Sequence, residues 1–124
     1  MAKGKACRAG YGIAEYTVTA SGREIFERAR YGRVVTARAH RMYQGATTHS
    51  NNAAEMTGLL RAIQGEAGEV GVTVFKVDSK YAIHMATGRT RPRSGPKAVN
   101  RELALRLRDA YRATDGCSTR EGTW

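Results

Sequence analysis

Ile13, Tyr16, Thr17, Val18 and Thr19 crowd into one short stretch. β-Branched and aromatic residues at that density predict a strand over residues 12–19. Ser21-Gly22 follows, a two-residue hairpin signal in which Gly22 takes the positive φ the turn demands. A second strand is expected from Arg23 to about Arg33. A two-residue turn pairs Ala20 with Arg23. It then carries the register through Val18 opposite Ile25 to Glu15 opposite Arg28, a favourable opposite-charge pair. A side chain added at Gly12 is expected to damage this hairpin.

Residues 34–43 admit a third strand or a loop, and residues 45–49 are small and polar, hence loop. A helix then begins, with Asn51 or Asn52 as its cap and Asn52 and Glu55 at capping-box spacing. Met56, Leu59, Leu60 and Ile63 make its apolar face, and Gly65 and Gly68 end it. Residues 70–77 are β-branched and aromatic with little alternation, the pattern of a central or parallel strand covered on both faces. Asp78-Ser79 stops that strand and can cap a helix after it. Residues 80–87 predict such a helix, short, with Tyr81, Ala82, Met85 and Ala86 inward. Residues 88–97 hold both prolines, Pro92 and Pro96, and must be loop. A last helix is expected from about Val99 to Arg112, with Leu103, Leu107, Ala110 and Tyr111 on its apolar face. Residues 113–124 show no periodicity. There are no internal repeats.

At 124 residues the pattern fits one domain: a basic N-terminal arm over residues 1–8 and a single domain over residues 9–124. No apolar run reaches the roughly 20 residues of a membrane span, and no apolar stretch follows the basic start as a signal peptide requires. Cys7 and Cys117 form neither a disulfide framework nor a zinc pattern. An intracellular, reducing compartment is the expectation, without distinction among cytoplasm, nucleus and organelle.

Charge changes the picture more. The net charge is +10, which draws a small domain to a polyanion, nucleic acid first. A membrane surface would want a basic amphipathic helix with large apolar residues, and none is found. Between Arg89 and Arg112 stand eight basic residues against two acids, a net +6 in that segment. Pro92, Ser94, Gly95 and Pro96 give its loop nothing to bury, so it reads as a phosphate-contacting patch rather than a merely solvated face.

Two acids stand out by position. Glu55 lies in the first turn of the expected helix, and Asp78 at the C-terminal end of the strand that reads as central. Such carboxylates can converge on divalent metal, since Mg²⁺ prefers oxygen ligands and paired ions clamp a phosphodiester displacement. Taken singly, Glu55 also suits the helix macrodipole and Asp78 a helix cap. His40, His49 and His84 have no metal-ligand spacing, and nothing supports Ser/His/Asp or Cys/His catalysis.

Four segments in order resemble the type 1 ribonuclease H family: Ala9-Gly10-Tyr11-Gly12-Ile13; Asn51-Asn52-Ala53-Ala54-Glu55; Val74-Phe75-Lys76-Val77-Asp78-Ser79-Lys80-Tyr81; and Gly95-Pro96-Lys97-Ala98-Val99-Asn100-Arg101-Glu102-Leu103. The resemblance implies an α/β fold with a ribonuclease H-like mixed sheet and flanking helices. It implies that Glu55 and Asp78 match two of that family's four metal-binding acids, with Mg²⁺ or Mn²⁺ as cofactor if the chain is catalytic. Asn52 matches an asparagine that contacts the hybrid backbone. Nucleic-acid contacts are expected from Asn51, Asn52, Ser79, Lys80, Arg89, Arg91, Arg93, Lys97 and Arg101. The family's first strand, with its Asp-Gly-Ser, has no match, because residues 1–8 hold no acid. Its fourth acid has none either. The sheet is therefore expected to be incomplete, or completed by a protein partner or a second copy.

Thr114-Asp115-Gly116-Cys117 resembles the family's first-strand Thr-Asp-Gly-Ser. Folded back into the central position, the tail would restore a third acid, Asp115. The same residues also suit an Asp-Gly turn after a helix. Three function classes emerge: a binder of RNA or RNA–DNA hybrid with impaired or partner-dependent catalysis, an active metal-dependent endonuclease cutting the RNA strand of a hybrid, and a basic structural subunit of a ribonucleoprotein.

Overall fold

The computed structural model describes residues 9–66, 72–95, 98–114 and 117–121. The basic arm, Gly68, Val70, Pro96, Lys97 and Asp115 lie outside them. The chain is mixed α/β: β1 (Gly10–Val18), β2 (Glu24–Arg33), α1 (Asn51–Gly65), β3 (Thr73–Val77), α2 (Lys80–Thr87), α3 (Arg101–Arg112) and β4 (Cys117–Glu121).

β1 and β2 form the expected antiparallel hairpin, but the turn is longer than two residues. Residues 19–23 connect the strands; Gly22 N–H donates to Thr19 O at 2.9 Å, and Gly22 sits at φ 86°. Next to the turn the register is one residue off the expectation, with Val18 opposite Glu24 and Thr17 opposite Ile25. The ladder then shifts between Glu15 and Tyr16, skipping Glu27 as a bulge, and Glu15 lands opposite Arg28 as the charges require. Glu15 Oε2 accepts from Arg28 Nε and from Arg30 Nε, each at 2.9 Å. Gly12 has no positive φ, and a Cβ there would meet nothing within 4 Å. The expected sensitivity of Gly12 is therefore corrected: the hairpin has room for a side chain at that position.

Residues 34–50 are loop, which settles the ambiguous segment. α1 is capped by Ser50, not by Asn51 or Asn52, which are already helical. Ser50 Oγ accepts from Ala53 N–H at 3.2 Å. Gly65 is the last helical residue, as expected. α1 buries Ala53, Ala54, Met56, Leu59, Leu60 and Ile63, and it packs against β1, β3, α2 and α3. α3 supplies Leu103, Ala104 and Leu107, all buried, while Ala110 and Tyr111 are half-buried against the same core. α2 turns Ala82, Met85 and Ala86 inward, but Tyr81 stays exposed, contrary to expectation.

The expected single mixed sheet is divided. Among the described residues β1 pairs only with β2, and β3 only with β4. β3 is parallel to its neighbour, as its composition predicts, yet it is neither central nor covered on both faces: Val74 is half exposed. The aperiodic tail does return as a strand, β4, with Thr73 opposite Cys117. It shares no ladder with β1 and so does not bridge the two pairs.

One polar residue ties the long loop to α3. Asn100, 4% exposed, holds the left-handed φ of 57° just before the helix. Its Oδ1 accepts from Thr47 N–H at 2.8 Å and Thr48 N–H at 3.2 Å, and its Nδ2 donates to Thr48 Oγ1 at 2.9 Å. Beside it Gly45, at φ 107°, lies so close to α3 that a Cβ would fall 2.5 Å from Leu103 N.

Two outcomes are expected in chemical denaturation. Leu103→Ala should cost about 2–5 kcal/mol as a core truncation. Asn100→Ala should cost about 1–3 kcal/mol by stranding the Thr47 and Thr48 amides; a neutral result would mean those amides find water. The Glu15 pair adds a pH signature. Burial alone would raise its carboxyl, but hydrogen bonds from Arg28 and Arg30, and their charges, outweigh burial and hold it below the ordinary 4.5. A lowered carboxyl stabilises the fold above its ordinary value, and the contribution is lost as pH falls through the folded-state value. Glu15→Gln should therefore cost up to about 1 kcal/mol at pH 7, given the partial exposure of the arginines, and nothing in strong acid.

Candidate functional site

α1 and β3 bring the two singled-out acids together. Ser79, not Asp78, caps α2, with its Oγ accepting from Ala82 N–H at 3.1 Å. That leaves the exposed Asp78 carboxylate free of helix capping at the C-terminal end of β3. Glu55 is the fifth residue of α1, beyond the first turn in which the sequence placed it, so the macrodipole is a weak reason for an acid there. It is half-buried and within hydrogen-bonding reach of Asp78.

The Glu55 carboxyl is raised above its ordinary value. Burial is the largest cause, followed by the hydrogen bond to the Asp78 carboxylate and the repulsion between the two charges. Glu55 thus keeps its proton to higher pH than an ordinary glutamate. Among the described residues no three His, Cys, Asp or Glu side chains gather around one point, and Asp115 lies outside them.

The expected nucleic-acid contacts divide into separate groups. Asn51 and Asn52 are exposed in the first turn of α1, close in sequence to Glu55; half-buried Ser79 and exposed Lys80 come directly after Asp78. Arg89, Arg91 and Arg93 are exposed at the other end of α2. Eight helical residues at 1.5 Å each set the end of α2, just before Arg89, about 12 Å from Ser79 along the axis. Arg89 also borders an open groove with Ile83, His84, Thr87, Gly88 and Thr119. Arg101 is exposed at the start of α3, and Lys97 lies outside the described residues.

Sequence reasoning missed two features. Asn100 entered only as part of a motif, and its role as a buried clamp needs the long-range contact with residues 47 and 48. The exposed aromatics of the hairpin, Tyr16, Phe26 and Tyr31, count in the sequence merely as strand formers. Their positions on the two strands, once the bulge is known, are the signal that places them on one face.

No family model, curated protein or solved structure matches this chain.

A raised carboxyl favours the fold below its ordinary value of 4.5, and that contribution is lost as pH rises through the folded-state value. At neutral pH the ionised pair therefore weakens the fold. Glu55→Gln, which keeps a donor toward Asp78, should raise stability by about 0.5 kcal/mol at pH 7 in metal-free buffer, small because both groups are partly solvated. The gain should vanish near pH 4. Thermal melts at the two pH values check this, and an equal gain at both would mean repulsion is not the cause.

Proposed function

We propose that the chain binds nucleic acid, RNA or an RNA–DNA hybrid, through a ribonuclease H-like domain whose catalysis is impaired or depends on a partner. The basic charge carries this reading, because a net charge of +10 draws the chain to a polyanion. The convergence of Glu55 and Asp78 supports its ribonuclease H-like part: two acids brought together at the end of a strand repel unless a cation or proton separates them. The exposed Arg89, Arg91 and Arg93 supply phosphate contacts beyond that pair.

The donor set fits one divalent cation. Two carboxylates with hard oxygens suit Mg²⁺ or Mn²⁺, and an ion between them would relieve the repulsion that raises Glu55. Glu55 and Asp78 would hold it, and when bound it would polarise a phosphodiester oxygen. Two acids offset too little charge for a pair of such ions, and the chain's net charge of +10 opposes cation entry. β4 runs parallel to β3 with Cys117 opposite Thr73, the end of β3 away from Asp78, so the remaining acid would come from a protein partner that joins β1 to β3 and completes the sheet. The same acid pair favours the second reading, an active metal-dependent ribonuclease H cutting the RNA strand of a hybrid.

The test is a labelled RNA–DNA hybrid with Mg²⁺ or Mn²⁺. The 124-residue chain should bind it without metal and cleave it slowly or not at all. Asp78→Asn should leave binding intact or tighten it. Robust turnover abolished by Asp78→Asn would replace the binder with the enzyme, and loss with Asp115→Asn would assign the third acid to the tail. Replacing Arg89, Arg91 and Arg93 with alanine should flatten the salt dependence of binding by about 2–3 units of slope. An unchanged slope removes that loop from the interface.

A further inference from the structure

The two faces of the β1–β2 hairpin differ sharply. Tyr11, Ile13 and Glu15 are half-buried on the side of α1, where the Tyr11 Cβ lies 3.1 Å from the place a Cβ on Gly58 would take. The opposite face carries Gly10, Gly12, Ala14, Tyr16 and Val18 on β1. Directly across stand Arg33, Tyr31, Ala29, Phe26 and Glu24 on β2. Residues directly opposite in an antiparallel ladder share a face, and every residue of this set is exposed.

That face concentrates the uncovered aromatic surface. Tyr16, Phe26, Tyr31 and Tyr81 are the exposed aromatics among the described residues, and three of these four lie here. Tyr31 is 89% exposed, Phe26 56% and Tyr16 45%. Tyr16 and Phe26 meet edge to face, their ring centroids 5.6 Å apart. Tyr31 stands alone, opposite Gly12. Between the rings the strands carry only glycine and alanine, and a Cβ at Gly12 would meet nothing within 4 Å. The face therefore presents flat rings with open space beside them rather than an interlocking aliphatic surface.

We propose that this face is a stacking platform for the bases of single-stranded nucleic acid. It rests on the nucleic-acid reading above and adds to it a second contact surface and a strand class. Charge selects the occupant: a chain of net charge +10 repels a second copy of itself and attracts a polyanion. Arg33, beside Tyr31 on the same face, offers a phosphate contact, while Glu24 closes the turn end. Bases stack on exposed rings with little regard to sequence, because every base has a π-face. The rings gain most where the strand has no complementary partner competing for its bases.

The experiment compares a fluorescein-labelled oligothymidylate of about twelve nucleotides, within the site size of such platforms, with an abasic strand of the same length, by anisotropy on the full chain. The two probes share phosphates and differ in bases. The wild type should bind oligothymidylate at least about tenfold more tightly than the abasic strand. The Tyr31→Ala, Phe26→Ala double variant should bind both alike, with its abasic affinity and salt slope unchanged; Tyr31→Phe should retain the preference. Tyr31 is almost wholly solvent-exposed, so Tyr31→Ala alone, which should lose part of the preference, guards against misfolding of the double variant. Equal wild-type binding to both probes overturns the platform while leaving the arginine contacts standing. So does a base preference that survives both variants, or a self-association removed by Tyr31→Ala with no base preference. Failure to bind either probe or the hybrid overturns the nucleic-acid reading itself.

Discussion

Burial of one helix organises this molecule. α1 is the element that touches β1, β3, α2 and α3, and it contributes Met56, Leu60 and Ile63 to the largest fully buried side chains. Among the described residues the two strand pairs share no ladder, and each packs on α1 through one strand. A two-stranded ladder is marginal alone in water, so each pair draws its stability from the apolar surface that α1 offers. The same helix carries Glu55 near its start, and packing it against β3 delivers that acid toward Asp78 at the strand's end. The acid pair is thus a by-product of the core's geometry as much as of the acids themselves.

Local capping explains why those acids are exposed to one another. Ser50 and Ser79 take the caps of α1 and α2, using hydroxyls that carry no charge. Neither carboxylate then serves as a helix cap, a role in which backbone amides would have lowered it. Burial and mutual repulsion remain, and both raise Glu55. Glu15 on β1 gives the contrast. It too is partly buried, but two guanidinium groups reverse the direction. The difference between a structural carboxylate and a candidate site here is the presence or absence of an arginine.

Much of the fold was legible because local rules and tertiary packing agreed. α2 begins and ends where Ser79 and Gly88 place it, and the apolar positions of α1 and α3 are the buried ones. The Glu15–Arg28 pairing also held, although the turn is longer than its sequence suggests, because a bulge at Glu27 absorbed the difference. Charge fixed the register where the turn did not. The failures were of another kind. Val74 and Tyr81 read as buried but are exposed, and among the described residues β3 has one neighbour where its composition suggested two. The cap of α1 went to Ser50 rather than to Asn51 or Asn52, because the backbone is extended at Ser50 and already helical at the two asparagines. The convergence of Glu55 and Asp78 was suggested by their places near a helix start and at a strand end. No spacing in the chain specifies it, because it depends on how β3 crosses α1.

The divided strand pairs also bear on chemistry. β1 and β3 both pack on α1, and neither pairs with the other. Among the described residues β4 lines one edge of β3, which leaves its other edge without a ladder partner. Asp78 follows the last residue of β3, so a strand added along that edge would run toward the acid pair and present its own side chains near it. An apolar residue would bury Glu55 further and raise its carboxyl still more, favouring its protonated form. An acidic residue would make the pair a triad that only a cation can hold together. On the proposed function, the identity of a single residue on such a strand thus decides whether Glu55 tends to keep its proton or joins Asp78 in a metal centre. The chain's own contribution, two converging carboxylates, is compatible with each.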